Sequence, residues 1–283
     1  MRSAFFIYFS AAILCFGGCS APPVASNEVE KTEVPEKPAS NNDASKGSLD
    51  EITSIALNSE CSKTAHDVQG KPPKSYLKGS ALSFAKAVCN PLSETTEIAS
   101  QAVGDGSKDA LAHYGLKPAT AHERLEVVYS LMLGSAARES SWRWCVGKDP
   151  EASNTSAETC EAGLYQTSWN SRSASPALPR LFQKFKTDKS GCFATEYKGA
   201  TTCSDANMKN WGTGEGVEFQ KLSKECPGFA TEYHAVMLRM RRSHYGPINR
   251  KTSLIKPACT KMFKDIRIKI QSKPSLCQKL SKS

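Results

Sequence analysis

Eleven cysteines in a chain of 283 residues constrain the fold more than any other feature of this sequence. In an oxidising compartment such cysteines form disulfides that hold loops together, whereas a reduced cytosolic protein uses them for metal binding or catalysis. The sequence contains no Cys-x-x-Cys pair and no pair of histidines at the spacing of a zinc site. We therefore expect neither a metal nor a cofactor. Whether the cysteines form disulfides depends on the compartment in which the protein resides.

Residues 1–19 have the features of a lipoprotein-type signal peptide. A basic second residue precedes an apolar run of fifteen residues, Ala4 to Gly18, which suits a secretory signal better than a membrane span. The run ends in Phe16-Gly17-Gly18-Cys19, which resembles the lipobox of bacterial lipoproteins, and this resemblance implies that Cys19 carries a lipid. We expect an exported protein of the cell envelope, anchored to the membrane by that lipid and facing the periplasm or the exterior. Cleavage after Ala21 is the alternative and gives a soluble exported protein.

Two segments follow the signal. Residues 20–51 are rich in Pro, Ser, Asn, Glu and Lys and contain few large apolar side chains. Too little apolar surface can be buried there to offset the conformational entropy that the chain would lose on ordering, so we predict a disordered tether. Residues 52–283 are long enough for one compact domain with a helical N-terminal extension, and we expect this domain to be monomeric.

The cysteines of an exported chain are expected to pair. With Cys15 and Cys19 assigned to the signal and the lipid, nine of the eleven remain, which is an odd number. Short intervening loops favour local pairs, although sequence alone leaves the connectivity open. The favoured pairs are Cys61–Cys89, Cys145–Cys160, Cys192–Cys203 and Cys259–Cys277, with Cys226 left unpaired.

The net charge of +9 and the isoelectric point near 9.0 favour anionic polymers as partners. A nucleic acid is not expected, because the chain is predicted to be exported and has no run of Lys and Arg interleaved with aromatic residues. Acidic cell-wall material is a better-placed partner. A generally solvated basic surface is the simpler explanation of the charge alone.

Apolar residues recur at helical spacing, so the sequence predicts a mainly α fold with disulfide-braced loops or short hairpins. The longest predicted helix opens with a capping box at Thr120-Ala-His-Glu123 and carries an apolar face from Leu125 to Glu139. Residues 145–175 and 190–214 are rich in turn-forming residues. Further helices are predicted over residues 75–88, 109–114, 178–186 and 216–225, and from Pro227 to a stop at Gly246-Pro247.

Glu139 places a carboxylate at the end of the apolar face of the longest helix. Such a group is either paired or has its pKa raised by desolvation, and a raised pKa makes it a proton donor near neutral pH. Arg138 points about 100° away around the helix and need not neutralise it. Cleavage of a glycosidic bond requires such a donor. The alternative is a helix-end glutamate that lies in solvent or bonds to a neighbour.

A second motif follows downstream, Gly163-Leu164-Tyr165-Gln166. Together with Glu139-Ser140-Ser141 it resembles the signature of goose-type lysozymes and bacterial lytic transglycosylases, in which a helix-terminal Glu-Ser is followed by a loop and then by Gly-Leu-Met-Gln or a similar stretch. Tyr165 stands where methionine is common, and the intervening loop carries two cysteines that the typical transglycosylase lacks. The resemblance extends over residues 120–170.

This resemblance implies a mainly α, α+β lysozyme-like domain that cleaves peptidoglycan or a related N-acetylated glycan. Matched residue by residue, Glu139 is the general acid, Ser140 supports it, and Gly163 and Gln166 line the substrate cleft. Two alternatives stay open: a non-catalytic cell-wall-binding lipoprotein that uses the same cleft, and a chitinase-type hydrolase.

A second acid is required only if a water molecule or a carboxylate captures the oxocarbenium-like centre, since the sugar's own hydroxyl can also do so. The candidates are Asp149, Glu158 and Glu161, of which Glu161 is preferred because it directly precedes the second motif. The alternative roles are that Asp149 caps a turn and that Glu161 anchors the loop.

Aromatic side chains suited to sugar binding occur near both motifs. We expect Tyr165, Trp169 and Tyr245 to contribute to the cleft, and one of Trp142 and Trp144 to be free for it if the helix continues that far. Large aromatic residues are more often part of a core, which is the competing interpretation.

Overall fold

The computed structural model describes residues 41–149 and 152–281. The predicted signal peptide 1–19, its lipidation site Cys19 and residues 20–40 of the predicted tether lie outside the described residues. Of the helices that the structure describes, none combines the length and the apolar composition needed to cross a membrane.

The described chain is mainly helical, as the apolar spacing predicts. Its β-structure is limited to one isolated antiparallel bridge between Ala162 and Thr167. Short 3₁₀ turns occur at Glu60–Lys63, Asp67–Gln69, Trp169–Ala174 and Arg242–His244. The helices are α1 Asn41–Asn58, α2 Lys74–Cys89, α3 Glu94–Ser100, α4 Ala110–His113, α5 Ala121–Ser140, α6 Ala177–Thr187, α7 Ala194–Lys198, α8 Asp205–Met208, α9 Glu215–Glu225, α10 Pro227–Met240, α11 Gly246–Asn249, α12 Pro257–Ser272 and α13 Ser275–Leu280.

Helix α5 begins with the predicted capping box. The hydroxyl of Thr120 accepts a hydrogen bond of 3.2 Å from the backbone N–H of Glu123, and the Glu123 carboxylate accepts one of 3.1 Å from the N–H of Thr120. These bonds satisfy backbone donors that the first turn of a helix otherwise leaves without partners. The predicted face is also confirmed, because Val128, Leu131 and Ala136 are fully buried.

Helix α5 lies at the centre of the packing, in contact with α2, α3, α10, α11 and α12. Gly134 lets one of these contacts form, because a Cβ atom there would lie 2.5 Å from the carbonyl oxygen of Leu254. The chain that follows α11 therefore runs directly against the last turns of α5. The C-terminal end of α5, where Glu139 lies, is thus held between several helices rather than left at a free edge.

A buried ion pair joins α10 to the N-terminus of α4. The guanidinium of Arg239 donates hydrogen bonds of 2.9 Å to both carboxylate oxygens of Asp109 and one of 2.6 Å to the carbonyl of Ala99. Both charged side chains are almost completely buried, and such a pair is tolerated only when its remaining donors and acceptors are satisfied. Here the carboxylate also caps α4 by accepting from the N–H of Leu111.

The cysteines pair over long distances, and the four predicted local pairs are wrong. Helices α1 and α2 pack against α12 and α13, so cysteines from the two ends of the domain meet. The cysteine without a partner is Cys160, which is buried, and not Cys226. The observed disulfides are Cys61–Cys259, Cys89–Cys277, Cys145–Cys203 and Cys192–Cys226.

Several boundaries differ from the predictions. Helix α1 begins at Asn41, inside the range predicted as tether, so the helical part of the chain starts before residue 52. Helix α10 ends at Met240 rather than at Gly246-Pro247, and Pro247 instead occupies the first turn of α11. A proline in a first turn costs no hydrogen bond, which explains why it starts a helix here. The helices that were not predicted are α3, α7, α8, α11, α12 and α13, and two of them, α7 and α8, lie in residues 190–214, which were predicted to form turns or short hairpins.

Candidate active site

The two sequence motifs lie side by side in the structure. Ser140 is buried in the last turn of α5, and its hydroxyl donates a hydrogen bond of 2.8 Å to the carbonyl oxygen of Leu164. The helix then stops, because Ser141 and Trp142 both take left-handed backbone conformations with φ of 51° and 59°. Such conformations are uncommon for residues other than glycine and concentrate at functional sites.

The second motif forms a tight loop closed by the bridge between Ala162 and Thr167. Gly163 has a φ of 79°, and a Cβ atom there would lie 2.5 Å from the carbonyl oxygen of Ser223, so only glycine fits. The side-chain amide of Gln166 donates to the carbonyls of Gly163 at 3.0 Å and Val146 at 3.2 Å. Gln166 is buried and braces the loop instead of presenting its amide to a cleft.

Glu139 retains some exposure to solvent, although its neighbour Ser140 is buried. The pKa of the Glu139 carboxyl is raised to about 8, chiefly by burial and in part by the negative charge of Glu161, while the positive charge of Arg250 opposes the rise. Arg138 does not neutralise it, since its guanidinium pairs with Asp67 and donates to the carbonyl of Thr252. At neutral pH the Glu139 carboxyl therefore keeps its proton.

Glu161 lies within electrostatic reach of two other acidic residues, Glu139 and Asp149. Burial raises the pKa of Glu161, and the negative charge of Asp149 adds to the rise. Glu161 acts in the same way on Glu139, whereas Asp149 is exposed at the outer end of the series. The third candidate for a second acid, Glu158, is engaged elsewhere, because its carboxylate pairs with Arg172.

The aromatic residues that we predicted to line the cleft are core residues. Trp169 is 2 % exposed, with its ring centroid 4.6 Å from that of Phe182 and 5.3 Å from that of Phe219. Tyr165 is 1 % exposed and stacks on the imidazole of His234, with 4.0 Å between the ring centroids. Neither offers an open face to a sugar ring, because both faces are needed for packing.

Tyr245 is also buried, and it lies within electrostatic reach of Glu139 and Glu161. Its hydroxyl and that of Thr167 share a hydrogen bond of 2.8 Å. Burial raises the pKa of the Tyr245 phenol well above its usual value, and the negative charges of Glu139 and Glu161 contribute to that rise. Tyr245 thus holds Thr167 at the end of the loop and does not form an open cleft wall.

The expectation that one of Trp142 and Trp144 is free for the cleft is wrong. Both indoles are buried, because α5 ends at Ser140 and the left-handed turn that follows redirects the chain. Trp142 also donates from its indole N–H to the carbonyl of Leu133 at 3.1 Å. Trp211 is the one tryptophan of the described chain that keeps part of its ring exposed.

Arg250 is a site residue that no local sequence pattern identifies. It lies after α11, more than a hundred residues from Glu139 in sequence, and reaches the site only because this chain packs along α5. Its exposed guanidinium lies against Gly246, where a Cβ atom would approach Nη1 to 2.9 Å. Arg250 is the cation whose charge acts on the Glu139 carboxyl.

Comparison of the chain with protein-family models, with curated proteins and with solved structures gives no match in any of the three. Within the described residues, no group of three or more His, Cys, Asp and Glu side chains is arranged to hold a metal ion. The class of protein that the fold and the site define is therefore a mainly α, disulfide-braced domain with a protonated carboxyl group at the end of its central helix.

Proposed function

We propose that the protein is a glycosidase that cleaves peptidoglycan, with Glu139 as its general acid. The observation that carries the proposal is the pKa of about 8 for the Glu139 carboxyl, which is partly open to solvent and has no ion-pair partner among the described residues. A proton held in this way is available for donation to a glycosidic oxygen, and a general acid works best when its pKa lies near the working pH.

The neighbouring carboxyl groups act on the positive charge that develops at the sugar ring after the leaving oxygen is protonated. Protonation of the leaving oxygen creates positive charge at the sugar ring, and an ionised Glu161 stabilises that charge. The negative charge of Glu161 raises the pKa of Glu139. Glu161 therefore loses its proton at a lower pH than Glu139 does. Asp149, exposed beside Glu161, is the remaining carboxylate that can orient a water molecule.

The proposed substrate class follows from the sequence resemblance and from charge. The Glu-Ser and Gly-Leu-Tyr-Gln motifs meet through the bond from Ser140 to Leu164, and the basic chain suits an acidic polymer. An exported protein tethered through Cys19 in the cell envelope, acting as a monomer, would reach peptidoglycan directly. Neutral chitin is the alternative substrate on the same site.

The test uses Glu139→Gln, which keeps the shape of the side chain and removes the proton. We expect wild-type protein to release soluble muropeptides from purified peptidoglycan and Glu139→Gln to release none, while both proteins have the same circular dichroism spectrum. Glu158→Gln is the matched control, because Glu158 pairs with Arg172 away from the Glu139 carboxyl, and it should remain active. An active Glu139→Gln variant would refute the assignment.

Mass spectrometry of the released products separates the reaction types. An anhydro-muramyl end indicates that the sugar's own hydroxyl captured the intermediate, as in a lytic transglycosylase, whereas a reducing end indicates attack by water. A wild-type protein that stays bound to peptidoglycan and releases no fragment would instead support the non-catalytic cell-wall-binding alternative.

A further inference from the structure

Trp211 and two lysines form a cationic cluster at the surface. The ammonium nitrogen of Lys209 lies 3.9 Å from the centroid of the Trp211 ring, and that of Lys148 lies 5.6 Å from it. Attraction between an ammonium group and the indole ring holds the two like charges near each other, although they repel. Within the described residues, neither lysine forms an ion pair with a carboxylate, although the Lys148 ammonium donates hydrogen bonds to the backbone carbonyls of Asp149 and Ala152.

The cluster joins two segments of chain that are fixed to each other. Lys148 belongs to the loop that follows α5, and Lys209 follows α8. The disulfide Cys145–Cys203 links the two segments. Gly147 lies directly against the second segment, because a Cβ atom there would be 2.6 Å from the carbonyl oxygen of Asn207.

A buried lysine holds the segment that carries Lys209. The ammonium group of Lys224 donates hydrogen bonds to three consecutive carbonyls, those of Asn207 at 2.9 Å, Met208 at 3.0 Å and Lys209 at 2.9 Å. A cation at the end of a helix satisfies carbonyls that otherwise have no partner. The backbone before Trp211 is therefore set before any ligand arrives.

Trp211 itself is held by one side chain of α9. The carbonyl oxygen of the Gln220 amide accepts from the backbone N–H of Trp211 at 2.9 Å, and its NH₂ group donates to the Trp211 carbonyl at 3.0 Å. Gln220 is almost fully buried, so this pairing is well ordered. The indole has a fixed backbone beneath it and remains partly exposed.

The cluster borders the carboxyl groups of the candidate active site. Lys148 directly precedes Asp149, whose charge acts on Glu161. Burial raises the pKa of the Cys160 thiol, next to Glu161, and the charge of Lys148 opposes that rise. The Lys148 ammonium thus acts at the edge of the acidic residues without neutralising Glu139, and the cation whose charge acts on Glu139 is Arg250.

We propose that Lys148 and Lys209, held at Trp211, bind a carboxylate of the substrate and make the enzyme prefer acidic glycan strands to neutral ones. In peptidoglycan the carboxylates lie on the stem peptide, and on the lactyl group only where no peptide is attached to it. This inference rests on the proposed function, because it assigns a charge requirement to the same site. It predicts that recognition depends on the negative charge of the ligand as well as on its sugars.

The test measures binding in the Glu139→Gln background, which prevents turnover. The probes are a disaccharide–peptide muropeptide and the same compound with its carboxylates amidated. The affinity for each probe is measured by calorimetry. We expect Lys148→Gln and Lys209→Gln each to weaken binding of the acidic probe by about threefold, and the double variant by about tenfold. Binding of the amidated probe should be unchanged, and added salt should weaken only the acidic probe.

Lys117→Gln is the matched control, because this exposed lysine precedes the opposite end of α5 and its loss changes the net charge by the same amount. It should bind both probes like its parent. Equal affinities of all variants for the acidic probe would overturn the inference while leaving cleavage by the wild-type protein intact. A wild-type protein that cleaves nothing but binds the acidic probe through both lysines would refute the proposed function and keep the inference.

Discussion

The hydroxyl of Ser140 donates a hydrogen bond of 2.8 Å to the carbonyl oxygen of Leu164, and this bond joins the end of α5 to the Gly163–Gln166 loop. Glu139 precedes the donor, and the acceptor belongs to the loop that follows Glu161. The bond therefore sets the separation between the two carboxyl groups on which the proposed chemistry depends.

Replacement of Ser140 by alanine should loosen this connection. The buried Leu164 carbonyl would lose its side-chain donor, which costs about 1–3 kcal/mol in free energy of unfolding. We expect activity on peptidoglycan to fall more than stability explains, because Glu139 and Glu161 lose their fixed separation. Urea unfolding and muropeptide release, measured on the same preparation, check this. Unchanged stability together with full activity would contradict it.

Gly163 should tolerate no side chain. Alanine there combines a φ of 79° with a Cβ atom 2.5 Å from the carbonyl of Ser223, so we expect a loss of about 2 kcal/mol or more. Gly115→Ala is the matched control, because Gly115, which follows the end of α4, has a similar φ of 70° and open space around its Cβ position. It should lose only about 1 kcal/mol. If both variants lost the same amount of stability in thermal unfolding, the close contact with Ser223 would not contribute to the requirement for glycine at position 163.

The disulfides predict a simple pattern on peptide mapping without reduction. Fragments should be joined as Cys61–Cys259, Cys89–Cys277, Cys145–Cys203 and Cys192–Cys226, and of the cysteines within residues 41–149 and 152–281 Cys160 alone should react with an alkylating agent after denaturation. The two pairs with sequence separations of 198 and 188 close the largest loops, so their loss should destabilise the protein most. A fragment linking Cys145 to Cys160 would contradict the structure.

The pKa of Glu139 also predicts how stability changes with pH. The folded protein holds this proton up to a pH of about 8, whereas the unfolded chain releases it near 4.5. The favourable contribution of protonated Glu139 is fully present below pH 4.5 and is lost as the pH rises to about 8, by at most about 1.4 kcal/mol per pH unit. Glu139→Gln lacks this loss, so its unfolding free energy should rise relative to wild type between pH 5 and 8. A constant difference over that range would contradict the prediction.

The sequence predicted those features that depend on local patterns. The capping box from Thr120 to Glu123 and the apolar face of α5 are properties of neighbouring residues, and both are confirmed. The raised pKa of Glu139 follows from the same face, because a carboxyl group on an apolar stripe becomes desolvated as the helix packs.

Features that depend on distant contacts were not predictable in the same way. The pairing of Cys61 with Cys259 requires that α1 and α2 lie against α12, which no local pattern states. Trp169 was predicted to bind sugar from its place beside the Gly163 loop, but Phe182 and Phe219 enclose it. Helix α12 had a readable signal, since Met262, Ile266 and Ile270 recur at helical spacing and are buried.

The central claim is that Glu139 keeps its proton at neutral pH. The most direct measurement is a titration of side-chain carboxyl carbons by ¹³C NMR, in which the Glu139 signal is identified by its absence from the spectrum of Glu139→Gln. The structure predicts a midpoint at about 8, falling when Glu161→Gln removes the neighbouring negative charge. A midpoint near 4.5, unchanged by Glu161→Gln, would contradict the account.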